Sequence, residues 1–162
     1  MDKSLEQQLV PLLSHKKLIC TTAESCTGGL VAERITSVAG VSAVYCGGFV
    51  TYNNEMKHKL LGVSENTLKE YTAVSVETAF EMAKGARKRT GADIAVSITG
   101  NAGPSASEGK PVGMVFIAVT SAWHNEVVDL SSAVSSTDGR EEIRVKACNK
   151  ALELIIKTAN LT

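Results

Sequence analysis

Two side chains in this sequence could perform acyl transfer without a histidine: Ser25, inside "TTAESCTGGLVAER" at 21–34, and Lys57, inside "TYNNEMK" at 51–57. A serine hydroxyl is a weak nucleophile until a neighbouring base takes its proton, and a desolvated lysine amine is such a base. Ser25 also suits two quieter roles. Serine caps helix starts by accepting backbone N–H bonds, and Gly28 and Gly29 behind it would let a phosphate approach the backbone near the free amides of a helix. The stretch is neither a Walker A loop nor G-x-S-x-G, so the residues alone leave cap, phosphate cradle and nucleophile open. Tyr52 and Lys57 equally suit a solvated surface. If Lys57 falls on the first helical turn after a strand, it reaches back to the sheet edge where Tyr52 emerges, and desolvation there lowers its pKa.

Arg140 carries a different clue. "DGREEIR" at 138–144 reads as an N-cap Asp138 with Glu141 reaching back, which sets Arg140 in a first helical turn, where the macrodipole disfavours a cation. A bound phosphate or carboxylate would relieve the conflict, and Arg144 shares the same face. Pairing with Glu141 or Glu142, or plain solvation, is the competing account.

The elements that must position these groups alternate between two periods. Apolar runs "KLICTT", "AVYCGGFVTY", "ADIAVSI", "GMVFIAVTS" and "EVVDLSSAV" read as strands, the last two as a hairpin. An amphipathic N-terminal helix carries Leu5, Leu9, Leu12 and Leu13, and further helical patterns fall near 28–38, 54–61, 75–90 and 139–158. The 75–90 segment has Ser75 as N-cap and Gly91 past its end. Strand and helix in alternation predict an α/β fold with a mixed sheet covered on both faces. In such sheets ligands bind beyond the carboxyl ends of strands, where Ser25, Tyr52, and Thr99 with Gly100 all emerge. "GNAGPSASEGKPVG" at 100–113 is a long Gly/Pro/Ser-rich loop of the kind that serves a site.

Composition narrows the function. The chain has 162 residues, 44% hydrophobic and 21% charged, which predicts a single folded domain that needs no disulfide or metal. Seventeen basic and seventeen acidic residues cancel, so no diffuse basic field draws a nucleic acid or an anionic membrane. No run reaches the roughly 20 apolar residues of a membrane span and the N-terminus lacks a signal-peptide core, so a cytoplasmic location is expected. Cys20, Cys26, Cys46 and Cys148 form no C-x-x-C pair, and His15, His58 and His124 have no metal-ligand spacing to them, so buried thiols and no metal or cofactor are expected.

Taken in order, "AESCTGG" at 23–29, "GGFVTYNNEMKHKLLGV" at 47–63, "AVS" at 73–75, "TGNAGP" at 99–104 with "KPVG" at 110–113, and "DGREEIR" resemble the CinA C-terminal domain family, the PncC-like nicotinamide-nucleotide amidases. The resemblance covers most of the chain. It implies a three-layer α/β/α sandwich with a mixed sheet of about five strands, and conversion of nicotinamide mononucleotide to nicotinic acid mononucleotide and ammonia without a cofactor. It further implies Ser25 as nucleophile, Lys57 as base and Tyr52 as the partner of Lys57, with Thr27, Gly28, Gly29, Thr99, Gly100, Arg140 and Arg144 around the substrate, and a homo-oligomer. Two departures stand out: Asn101 where the family commonly has an apolar residue, and Thr72 where it usually has glycine. A catalytically silent nucleotide-binding paralogue and an amidase for another small amide are the alternatives.

Overall fold

The computed structural model describes residues 2–162. In chain order its elements are α1 (Leu5–Lys16), β1 (Cys20–Glu24), α2 (Leu30–Thr36), β2 (Tyr45–Val50), α3 (Asn54–Leu61), α4 (Glu65–Glu70), α5 (Val76–Thr90), β3 (Ile94–Gly100), β4 (Val115–Thr120), β5 (Asn125–Asp129) and α6 (Arg140–Asn160). The five strands form one sheet in the order β2-β1-β3-β4-β5. β1 runs parallel to β2 and β3, while β3, β4 and β5 are joined antiparallel, with the expected hairpin at β4–β5.

Alternation along the central strands sorts the two faces. On one, Ile94, Val96 and Ile98 of β3 join Leu9 and Leu13 of α1, Ile35 of α2 and Leu152 and Ile155 of α6 in the main core. On the other, small residues let α5 approach closely: Ala23 and Ala95 pack against Met82 and Ala86, and Ala118 against Ala79 and Ala83. The result is the α/β/α sandwich expected from the sequence, with a mixed five-stranded sheet. α3 crosses α5 in backbone contact at Gly85, where a Cβ would lie 1.9 Å from the Leu61 carbonyl oxygen. That contact fixes the helix carrying Lys57.

Element boundaries differ where local chemistry overrides the pattern. The helix expected near 28–38 starts only at Leu30, because Gly28 and Gly29 take left-handed backbone at φ 58° and 105°. α4 was not expected; it spans six residues, too few to show a period, and is capped by the Ser64 side chain. The final strand stops at Asp129, and Ser131–Ala133 form a 3-10 turn. Asp138 is not the N-cap of α6. Gly139 holds that position without a side-chain bond, while the Asp138 carboxylate accepts from the Ser135 amide and the Lys146 ammonium. Ser75 does cap α5, accepting from the Thr78 amide. Thr72 has φ 69°, the left-handed region where a β-branched residue is strained, which accounts for the glycine found there in the family that the sequence resembles.

Candidate active site

Parallel pairing brings the chemistry together. Glu24, the last residue of β1, lies beside Val50 of β2 and Ile98 of β3, so the chain leaves all three strands at the same end. Ser25, Thr51 and Tyr52, and Thr99 and Gly100 therefore share one edge. Two antiparallel reversals return β5 to the direction of β3, so α6 also begins at that edge and delivers Arg140. Between them lies a cleft of about 630 Å³ lined by Ser25, Tyr52, Lys57, Thr99, Gly100 and Arg140. That volume is in the range that holds a molecule the size of a mononucleotide.

Lys57 stands on the first turn of α3, whose Asn53 cap accepts the Met56 amide. Its side chain is only 1% exposed, unusual for lysine. Nζ donates to the Thr51 carbonyl at 2.8 Å and lies 2.9 Å from Ser25 Oγ. Burial pushes its pKa down from 10.5 to about 8. Near neutral pH the amine therefore loses its proton far more readily than a solvated lysine. Its bond to Thr51 leaves the lone pair free for the Ser25 proton. Among the described residues no backbone amide donates to Ser25 Oγ, so the hydroxyl is not a helix cap.

The turn after Ser25 is held from both sides. Glu24 was not singled out from the sequence as a functional residue, yet its buried carboxylate accepts the amides of Gly29 at 3.2 Å, Val31 at 2.9 Å and Ala32 at 3.1 Å. It occupies the start of α2, so those amides cannot cradle a substrate phosphate. The signal was present: a carboxylate ending an apolar strand, followed by two glycines and a helix, must find N–H donors when buried. On the other side Arg144 donates from Nε to the Cys26 carbonyl at 3.0 Å and from Nη2 to the Thr27 carbonyl at 2.9 Å. Thr27, Gly28, Gly29 and Arg144 thus build the turn and do not line the cleft.

Tyr52 does not partner Lys57. Its ring is 61% exposed and its hydroxyl accepts from Arg140 Nη2 at 2.9 Å. Arg140 Nη1 donates to the Gly103 carbonyl at 2.6 Å, which ties the long loop to the start of α6. Thr99 lines the cleft and donates its hydroxyl to the Ala73 carbonyl at 2.6 Å. Asn101 closes the base of the loop: its amide donates to the Lys110 carbonyl at 3.1 Å and accepts the Gly103 N–H at 3.0 Å. Glu108 then joins the loop to the Ala73 amide and Asn54 at the start of α3. Among the described residues no group of three His, Cys, Asp or Glu side chains could hold a metal ion, and no helix is long and apolar enough to cross a membrane.

Comparison with known proteins agrees with this architecture. Residues 2–159 match the model of the CinA C-terminal domain. A CinA-like protein of Chloroherpeton thalassium is 54% identical over 122 residues, covering 75% of this chain and 29% of that protein. A CinA-like protein of Thermotoga maritima is 43% identical over 157 residues, covering 96% of this chain and 37% of that protein. The chain therefore matches between 29% and 37% of the length of these curated relatives. A crystal structure of the competence/damage inducible protein CihA from Agrobacterium tumefaciens superposes with a TM-score of 0.90 at 39% identity, covering 99% of each chain.

Proposed function

The chain belongs to the CinA C-terminal domain family, and on that premise we propose that it is an amidohydrolase converting nicotinamide mononucleotide to nicotinic acid mononucleotide and ammonia. The observation that carries this reading is the buried Lys57 amine set 2.9 Å from Ser25 Oγ at the wall of the cleft. As Ser25 Oγ adds to the carboxamide carbon, Lys57 takes the hydroxyl proton and the carbonyl π pair moves onto oxygen. When the tetrahedral intermediate collapses, Lys57 returns that proton to the departing nitrogen, which leaves as ammonia. Water then attacks the Ser25 ester, Lys57 takes its proton, and the second collapse frees the acid and restores the serine hydroxyl. Arg140, the cation besides Lys57 that lines the cleft, is the group to meet the substrate phosphate.

Purified protein given nicotinamide mononucleotide should release ammonia and nicotinic acid mononucleotide in equal amounts. No release above background would contradict the proposal, and tight calorimetric binding without turnover would favour a nucleotide-sensing domain.

A further inference from the structure

The backbone amides around Ser25 are almost all spoken for. Ser25 donates to the Ile98 carbonyl, Gly28 to the Ser25 carbonyl, Leu30 to the Thr27 carbonyl, and Gly29, Val31 and Ala32 to Glu24. Cys26 and Thr27 remain, and neither amide has an acceptor among the described residues. Both residues are buried, at 6% and 0% exposure, and of the two Cys26 is the one that lines the cleft. Buried N–H groups without partners are rare because each forfeits its hydrogen bond to water. A capping serine would take an amide two or three residues on, but Ser25 Oγ is engaged with Lys57 instead.

What holds these amides in place is on the far side of the same peptide units. A peptide is planar, with C=O and N–H directed oppositely. The Gly28 amide grips the Ser25 carbonyl and so sets the Cys26 N–H, while Arg144 Nε grips the Cys26 carbonyl and holds the same residue from its other side. Nη2 of the same guanidinium holds the next carbonyl, that of Thr27. Only a rigid fork can span two consecutive carbonyls in this way.

We infer that Arg144 is a positioning residue that, by holding the Cys26 and Thr27 carbonyls, fixes the turn and aims the Cys26 amide at the oxygen of the tetrahedral intermediate. The inference rests on the reading of Ser25 as the acyl nucleophile. When Ser25 Oγ bonds to the amide carbon, the displaced π pair makes the former carbonyl oxygen an anion. The Cys26 amide stabilises it with a dipole already oriented before the reaction begins. Arg144 itself touches neither substrate nor Ser25.

The test compares Arg144→Ala and Arg144→Lys with the unaltered protein on nicotinamide mononucleotide and, separately, on a fluorophosphonate that modifies an activated serine. Phosphonylation of Ser25, followed by intact mass, also places developing negative charge in the same position. The expected result is a kcat fall of about 100-fold in both variants, with KM within about threefold and an unshifted pH midpoint. Phosphonylation should slow in parallel. Added guanidinium should restore activity to Arg144→Ala; if that variant does not fold, Arg144→Lys, which keeps the charge but not the fork, carries the comparison. An unchanged kcat, or a raised KM with kcat kept, would overturn the inference. If the unaltered protein releases no ammonia yet Ser25 is phosphonylated, the substrate assignment fails while the ratio of phosphonylation rates still decides the role of Arg144. If it does neither, both fall.

Discussion

Lys57 Nζ sits 2.9 Å from Ser25 Oγ with no carboxylate paired to it among the described residues, so burial outweighs the opposing fields of Cys26 and Glu108 in setting its charge. A paired lysine would hold its proton and serve as a structural cation. An unpaired one, buried in the wall of a cleft, can give it up and become a base.

The pH dependence follows from that charge. With the Lys57 pKa lowered to about 8, the rate on nicotinamide mononucleotide should rise through pH 8 and level off above it. A pH–rate profile flat between pH 6 and pH 10 would remove Lys57 as the base. Lys57→Arg should be inactive throughout, because guanidinium stays protonated.

Stability, like activity, should rise with pH. Lys57 releases its proton near pH 8 in the folded protein and at its ordinary 10.5 when unfolded. Between those values the unfolded chain binds more protons, so stability rises with pH across the window; below it the full cost of a buried ammonium is carried. Lys57→Met should therefore raise the melting temperature at pH 7 while abolishing turnover, with the gain shrinking toward pH 10.5. A lower melting temperature at pH 7 would show that the Thr51 and Ser25 bonds outweigh desolvation.

Specificity should depend on Arg140. Arg140→Ala should raise KM for nicotinamide mononucleotide by about tenfold or more, a loss of about 1.5–3 kcal/mol. Slow hydrolysis of the phosphate-free riboside should change little. Because Arg140 also holds the Tyr52 hydroxyl, Tyr52→Phe should act on KM in the same direction and leave the pH midpoint in place. Equal losses on both substrates would assign Arg140 to the loop contact at Gly103.

Glu24 should be needed for folding. In Glu24→Gln one carboxylate oxygen becomes an NH₂ group facing an amide donor, Ala32 or the pair Gly29 and Val31. Leaving a buried donor unsatisfied should cost about 1–3 kcal/mol, read from urea unfolding. No change in midpoint would show the turn to be held by other means.

Thr72→Gly should stabilise. The left-handed backbone costs a β-branched residue about 1–2 kcal/mol, and the Thr72 hydroxyl is buried without a partner. Part of the gain is offset by glycine's greater freedom when unfolded, which leaves about 1 kcal/mol, or a melting temperature about 2–4 °C higher. A lower one would mean the φ strain is relieved by contacts of the side chain.

Much of this was legible in the sequence, and for a physical reason. Short apolar runs alternating with amphipathic stretches demand a sheet covered on both faces, and parallel neighbours expose their carboxyl ends together, so Ser25, Lys57 and Thr99 could be placed at one edge. What escaped depended on side-chain direction. Tyr52 and Lys57 leave the same strand end, but Tyr52 turns outward to Arg140 and Lys57 inward to Ser25, a choice set by where α6 and α5 pack. Arg144 shares a helix face with Arg140, yet one helical turn further along it meets the Ser25 turn instead of the cleft. Asp138 looked like a cap because its spacing to Glu141 fits one; Lys146, brought near by the fold, competes for the same carboxylate.

The central claim is an acyl-enzyme on Ser25, and partitioning with hydroxylamine tests it most directly. With nicotinamide mononucleotide and rising hydroxylamine, product should divide between the acid and the hydroxamate, in a ratio set by the nucleophile and not by the enzyme's amide-cleaving step. Ser25→Ala should form neither. Steady ammonia release with acid as the sole product, or hydroxamate formation surviving in Ser25→Ala, would contradict the account.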